Sequence, residues 1–401
     1  MFPRAINLPK DNSFFLFGAR GTGKTSLLEE RYPRNKALWI DLLDPKEERR
    51  FADNPSLLSE RISARRNQKN SWVVIDEVQK VPALLDVVHH EIESRGVLFA
   101  LTGSSARKLR RGAANLLAGR AFVFSLHPLA AFEMASSFSL NEALEWGTLP
   151  RIFGLSSDSS KEMFLDAYVH TYLREEITAE QLVRNIQPFR RFLEVASQAS
   201  GTIINFSAIA RDIQVDVKTV QNYFSILEDT LLGSLLPAFN RSVRKQQLHA
   251  PKFYLFDCGV KRAIDETLRF TPLSSQERGP LFEQFIINET RRLNDYFRAK
   301  YSLSYLATAG GLEIDLVLSR PREEHIFIEV KSSDAITKAH LAHLRSLQVD
   351  FPRCRYICLC RESHPRLVEG IEVMPWREGL ENLFREKNPV GLIKISIGKE
   401  G

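Results

Sequence analysis

Two sets of residues in this sequence have the types and spacing to do chemistry on phosphates. The first is GARGTGKTS, where Gly18, Gly23, Lys24 and Thr25 fit the pattern G-x-x-x-x-G-K-[ST]. A glycine-rich turn lets backbone N–H groups point inward around phosphates, and a helix starting there adds its positive end. Lys24 would reach the β- and γ-phosphates of a nucleotide, and Thr25 would hold Mg²⁺. Ala19, Arg20, Gly21, Thr22 and Ser26 would complete the cradle. The second set is spread through GLEIDLVLSRPREEHIFIEVKSS, where Asp315, Glu329 and Lys331 interrupt apolar runs. Charge inside a strand is costly unless it is paired or binds a metal.

Two further stretches belong with the first set. In WVVIDEVQK an apolar run ends in Asp76 and Glu77, at the strand end where α/β sheets bind ligands. Asp76 would position Mg²⁺, commonly through water, and Glu77 would orient and activate the attacking water. The alternative is a solvated strand end. The run VLFALTGSSARKLRRG places Ser104 and Ser105 at the end of another strand. Either serine could touch a γ-phosphate or cap the next helix, and one residue can do both.

The elements that must hold these residues follow from the apolar pattern. Over residues 14 to 126, FFLF, ALWIDLL, WVVIDE, VLFALTG and AFVFSL alternate with helical segments. Such alternation predicts a parallel sheet covered by helices. A helical stretch follows to about residue 200, including AYVHTYLREEITAEQL and IQPFRRFLEVASQAS. FSAIARDI and DVKTVQNYFSILED then read as helix, turn, helix, with Phe206, Ile209 and Ile213 facing Val220, Tyr223, Phe224 and Leu227. LGSLLPAF and KFYLFD read as two strands with a basic tip at Arg241, Arg244, Lys245 and His249. A helix in the major groove with a basic wing on phosphates is one docking mode, so residues 206–249 are a candidate DNA surface. Winged helices also serve protein contacts, and a charged hairpin tip can simply be solvated.

TPLSSQERGP reads as a loop, followed by a helix over LFEQFIINETRRLNDYF with Glu283 near its start. The strands SLSYLAT, LEIDLVL and HIFIEVKSS come next, then the helical AHLAHLRSLQ and the strand RYICLC. Glu329 and Lys331 are two apart and share a strand face, and Glu313 would share the face of Asp315.

FLFGARGTGKTSLL, VVIDEVQKVPALL, FALTGSSARKLRRGAANLLAGRA and HPLAAFE resemble the bacterial and archaeal AAA-type ATPases whose C-terminal half is a domain of unknown function. The likeness extends over almost the whole chain. It implies an ATPase core related to AAA+ and signal-transduction NTPases, using ATP and Mg²⁺, with an extra strand between the two phosphate-motif strands. Arg120 matches a family motif, for which a structural salt bridge is the favoured role. A trans-acting arginine among Arg107, Arg110 and Arg111 would require an oligomer. The order helix-Glu283, strand-Asp315, strand-Glu329-x-Lys331 resembles the restriction-endonuclease-like nuclease core. That resemblance implies that the acids bind one or two further Mg²⁺ and that Lys331 assists the attacking water. The other reading is a structural ion pair between these acids and Lys331.

The expected fold class is therefore α/β, a P-loop NTPase parallel sheet with a helical lid, a winged helix and a C-terminal restriction-endonuclease-like domain. Expected boundaries are 1–135, 136–200, 201–265 and 266–390, with a tail at 391–401. The expected function is Mg²⁺-dependent ATP binding and hydrolysis coupled to a nucleic-acid-binding, nuclease-like C-terminal domain. The alternative is a nucleotide-dependent switch or scaffold with an inactive nuclease-like module. A chain of 401 residues with 26% charged residues and a formal charge of +6 permits nucleic-acid contact without requiring it. The four cysteines include Cys354, Cys358 and Cys360 in PRCRYICLC, a spacing that suits buried thiols better than zinc. No apolar run is long enough to span a bilayer and the N-terminus lacks a signal-peptide pattern, so no membrane partner and a cytoplasmic location are expected.

Overall fold

The computed structural model describes residues 2–65, 72–104, 119–173, 186–240, 249–270, 272–308 and 310–385. Ser105, Arg107, Arg110, Arg111, Arg241, Arg244, Lys245, part of the AYVHTYLREEITAEQL segment and the tail lie outside the described residues.

Among the described residues, five parallel strands form the N-terminal sheet: β1 (Ser13–Phe17), β2 (Leu38–Asp41), β3 (Val73–Asp76), β4 (Phe99–Gly103) and β5 (Ala121–Ser125). Their order is β2-β3-β4-β1-β5. The expected extra strand is β4, which lies between the strand preceding the glycine loop and the strand ending in Asp76. β1, β3 and β4 are buried throughout, which is why they read as continuous apolar runs rather than alternating ones. Helix α1 (Lys24–Arg31) follows β1, and α2 (Leu84–Arg95) precedes β4.

The middle of the chain packs α3 (Ile186–Gln198), α4 (Phe206–Asp212) and α5 (Val217–Asp229) around aromatic side chains. Phe224 makes edge contacts with Phe192, Phe206 and Phe253. Ile209, Ile213, Val220, Tyr223, Phe224 and Leu227 share this core, as their spacing requires, while Lys218, Gln221 and Asn222 are exposed. Asn205 and Asp216 cap α4 and α5 through their side chains. β6 (Gly233–Leu236) and β7 (Lys252–Leu255) pair antiparallel, and helix α6 (Cys258–Ile264) follows. β7 is buried along its whole length.

Helix α7 runs from Ser275 to Tyr296. The expected loop SSQERGP is therefore largely helical, and Glu283 lies in the helix interior rather than near its start. A capping box between Ser274 and Glu277 starts the helix early. Pro280 forfeits one helical hydrogen bond without ending the helix. The final sheet contains β8 (Ser302–Ala307), β9 (Glu313–Ser319), β10 (Ile326–Val330), β11 (Arg355–Cys360), β12 (Arg366–Val368) and β13 (Ile371–Pro375). Its order is β12-β13-β11-β10-β9-β8. β8, β9 and β10 are antiparallel neighbours, whereas β10 and β11 run parallel through the crossover helix α8 (Ala342–Asp350). α7 and α9 (Trp376–Phe384) share a core with one face of this sheet, and α8 covers the other. Cys358 and Cys360 are buried free thiols in that second core, with Cys354 partly buried beside them.

Within α7, Arg292 is 3% exposed. It donates to the Leu129 carbonyl, to Thr148, to the Phe256 carbonyl and to Glu289. Replacing Arg292 with Ala leaves Glu289 buried without its counter-charge, so a loss of about 3–5 kcal/mol is expected in urea unfolding. Val349→Ala, at a position 84% exposed, is expected to stay within about 0.5 kcal/mol of the parent.

Candidate functional site

The phosphate-type loop joins β1 to α1. Gly21 and Gly23 have φ of +80° and +92°, a region that L side chains rarely occupy. At Gly18 the constraint is space, since an added Cβ would lie 2.5 Å from the Leu126 carbonyl oxygen. Ala19 and Thr22 are buried under the loop, whereas Arg20, Gly21 and Ser26 face outward. Two braces hold it. Arg4 Nη1 donates to the Thr22 carbonyl at 2.7 Å, and the Tyr168 hydroxyl donates to the Arg20 carbonyl at 2.9 Å.

Lys24 Nζ donates to the Gly18 carbonyl at 2.7 Å and stands 3.9 Å from Glu77 Oε1. Thr25 Oγ1 donates to Asp76 Oδ2 at 2.7 Å, and Thr102 donates to the other oxygen of Asp76. A hydroxyl and a buried carboxylate side by side form an all-oxygen pair of the kind Mg²⁺ takes. Glu77 follows in a left-handed conformation with φ of 58°, and its amide donates to Thr102 Oγ1. The Gln79 amide donates both to Glu77 Oε2 and, at 3.3 Å, to Ser104 Oγ. Sequence reasoning gave Gln79, Arg4 and Tyr168 no role. The DE-x-QK spacing was the available signal for Gln79, while Arg4 and Tyr168 arrive from distant segments. Arg120 pairs with Glu93, which is the structural salt bridge expected of it. A cavity of about 320 Å³ opens beside the start of α1, between Phe2, Gly23, Ser26, Leu129, Pro150 and Phe153.

The second set of residues also meets. Asp315 on β9 and Glu329 on β10 fall opposite one another, one step beyond the paired register Ile328↔Leu316. Asp315 Oδ2 accepts the Val330 amide at 2.8 Å. Lys331 Nζ pairs with Glu329 Oε1 at 2.6 Å, which is the ion pair the alternative reading expected. Glu329 Oε2 is buried and has no hydrogen-bond partner. Burial pushes the Asp315 carboxyl well up, and the charges of Glu283 and Glu329 add to the rise. Burial also pushes Glu329 up, against the pull of Lys331.

Two residues from β7 complete this arrangement. Lys252 Nζ lies 2.5 Å from Glu313 Oε1 and 3.4 Å from Glu283 Oε1. The Tyr254 hydroxyl donates to the same Glu283 oxygen at 2.6 Å. Sequence reasoning took KFYL only as a strand, although alternation places Lys252 and Tyr254 on one face. Glu313, two residues before Asp315 on β9, pairs with Lys252. Among the described residues, no group of three or more His, Cys, Asp or Glu forms a ready ligand set. The reason is visible in the contacts: lysines, a tyrosine and a backbone amide already engage these acids.

A family model described as an AAA domain matches residues 10–135. The N-terminal region is AAA-type and P-loop ATPase-like. That assignment suggests nucleotide binding for this region. Two models of domains of unknown function, DUF8612 and DUF4143, match residues 137–273 and 278–378. An uncharacterized protein of Mycobacterium tuberculosis is 26% identical over 341 residues, covering 83% of this chain and 74% of that protein. An uncharacterized protein of Methanocaldococcus jannaschii is 21% identical, covering 91% of this chain and 87% of the other. Can2 from Sulfobacillus thermosulfidooxidans, solved with cyclic tetra-adenylate, superposes with a TM-score of 0.22 at 9% identity, covering 94% of this chain and 99% of that one. No described helix is long and apolar enough to cross a membrane.

Gly18→Ala is expected to weaken nucleotide binding. A methyl forced against the Leu126 carbonyl costs about 1–3 kcal/mol, or roughly tenfold to a hundredfold in affinity. Titration with a fluorescent ATP analogue measures the loss, with circular dichroism confirming that the fold is retained.

Proposed function

We propose that the chain binds ATP with Mg²⁺ at residues 18–26 and hydrolyses it. The observation that carries this reading is the meeting of Thr25 with Asp76 and of Lys24 with Glu77 across the ends of β1 and β3, the strands that flank β4. The loop amides and Lys24 hold the phosphates, with the ammonium exchanging its carbonyl partners for phosphate oxygens. Thr25 and Asp76 hold Mg²⁺, which supplies charge neutralisation on the phosphates when bound. Glu77 orients the attacking water, and Gln79 fixes the Glu77 carboxylate while reaching Ser104. The cavity beside α1 offers Phe2, Leu129, Pro150 and Phe153 to the base, with Arg4 and Glu30 as polar groups in its lining. Lys24→Ala is expected to abolish Mg²⁺-dependent ATP hydrolysis. Glu77→Gln should lower turnover by about 10²-fold or more while ATP binding persists. Unchanged hydrolysis in Lys24→Ala would sink this reading.

A second reading concerns Glu283, Asp315, Glu329 and Lys331. They are proposed to accept a divalent cation and cleave phosphodiesters, under the control of the nucleotide site. Supporting it are the antiparallel β8-β9-β10 unit joined through α8 to a parallel β11, and the partnerless buried Glu329 Oε2. Oxygen donors of this kind suit Mg²⁺. Asp315 and Glu329 would hold the cation, and Lys331 would orient water toward it. The exposed polar side of α5, in a winged-helix reading of α4, α5 and the β6–β7 ladder, would supply a DNA contact. Supercoiled plasmid with Mn²⁺ is expected to be nicked, and Asp315→Ala and Lys331→Ala to fall to background. Salt-sensitive DNA binding with no nicking would favour an inactive binding module instead.

A further inference from the structure

Lys252 stands where a cation would neutralise the acidic cluster. It is 2% exposed, and Glu283 and Glu313 both lie within ion-pair distance of its ammonium. Burial alone would lower its pKa, yet Glu283 and Asp315 together drive it upward. It belongs to the β6–β7 ladder and not to the sheet that carries Asp315 and Glu329. A buried lysine is tolerated only where carboxylates compensate its lost hydration. Tyr254, two residues further along β7, holds the same Glu283 oxygen. The acids therefore fall into two groups. Glu283 and Glu313 are committed to β7, whereas Glu329 keeps one buried oxygen without a partner.

We propose that Lys252 is the resident counter-ion of this cluster, and that a divalent cation gains Glu283 as a ligand only in exchange for the Lys252 ammonium. The inference rests on the reading that the cluster accepts a divalent cation. Lys252 is a positioning residue in this scheme. It keeps Glu283 engaged until the segment carrying β7 shifts or a cation outcompetes it. It also makes the metal-free protein tolerate several carboxylates in one place.

The test is Mn²⁺ binding to the full chain without nucleotide, read by electron paramagnetic resonance. Binding that persists in Asp315→Asn is counted as binding elsewhere. Wild type is expected to show weak Asp315-dependent binding. Lys252→Gln should bind about tenfold more tightly, and Lys252→Arg, which keeps the charge, should match wild type. In EDTA the Lys252→Gln protein should melt below wild type, and Mn²⁺ should recover the difference. If Lys252→Gln does not fold, Lys252→Met, which keeps the side-chain length and removes the charge, should likewise tighten Mn²⁺ binding about tenfold. Asp315-dependent binding that is no tighter in these variants overturns the lysine proposal alone. Absence of Asp315-dependent binding in wild type and variants overturns the metal reading and the lysine proposal with it.

Discussion

The buried guanidinium of Arg292 fixes how the parts of this chain meet. A guanidinium offers five N–H donors in one plane, and removing it from water is costly unless nearly all find acceptors. Here the acceptors come from different segments: the Leu129 carbonyl after β5, the Thr148 hydroxyl, the Phe256 carbonyl after β7, and Glu289 one turn back on α7. Glu289 in turn accepts the Ala131 amide. Asp257, also buried, takes the Thr148 and Val260 amides. Displacing any one segment strands a charge in the interior, so α7 is locked against the N-terminal region and the middle of the chain together.

That lock makes α7 the shared support of the glycine-rich loop and the acidic cluster. At its C-terminal end the Tyr296 hydroxyl accepts from Arg4, which also donates to the Thr22 carbonyl of the nucleotide loop. His127 and Asp295 meet beside it. In its interior, Glu283 faces Lys252 and Tyr254. Thirteen residues separate Glu283 from Tyr296, roughly 20 Å at helical rise. One helix therefore touches the brace of the nucleotide loop at one end and supplies a carboxylate to the acidic cluster further along. The chain reaches its second cluster through rigid secondary structure rather than through a flexible linker.

The two sites differ in how their charges are held. At the nucleotide loop, Asp76 is buried but receives two hydroxyls, and Lys24 is satisfied by loop carbonyls. The hydroxyl donors on Asp76 and the carbonyl acceptors on Lys24 are neutral partners. In the acidic cluster the partners are full charges, Lys252 and Lys331, and burial with the neighbouring Glu283 and Glu329 pushes Asp315 up. Such pairing compensates the lost hydration of the buried carboxylates.

How much the sequence disclosed follows from how local each feature is. GARGTGKTS is contiguous, and its glycines, lysine and threonine have one shared geometric purpose, so the loop was legible residue by residue. Asp76 and Glu77 were legible because a fully buried parallel strand reads as an unbroken apolar run. The buried faces of α4 and α5 followed from helical spacing, and the face shared by Glu329 and Lys331 from strand alternation. The early start of α7 was missed because Ser, Gly and Pro usually signal a turn, whereas a capping box and one tolerated proline won here. β12, β13 and α9 were also not anticipated. Arg4, Tyr168, Lys252 and Tyr254 could not be placed from spacing alone, since each acts on a partner from 18 to 148 residues away. The sequence by itself determined which residues could handle phosphate and which faces would be buried, because period and residue chemistry are local properties. Only the tertiary structure decided which charges neutralise one another, because that depends on which distant segments share a low-dielectric interior.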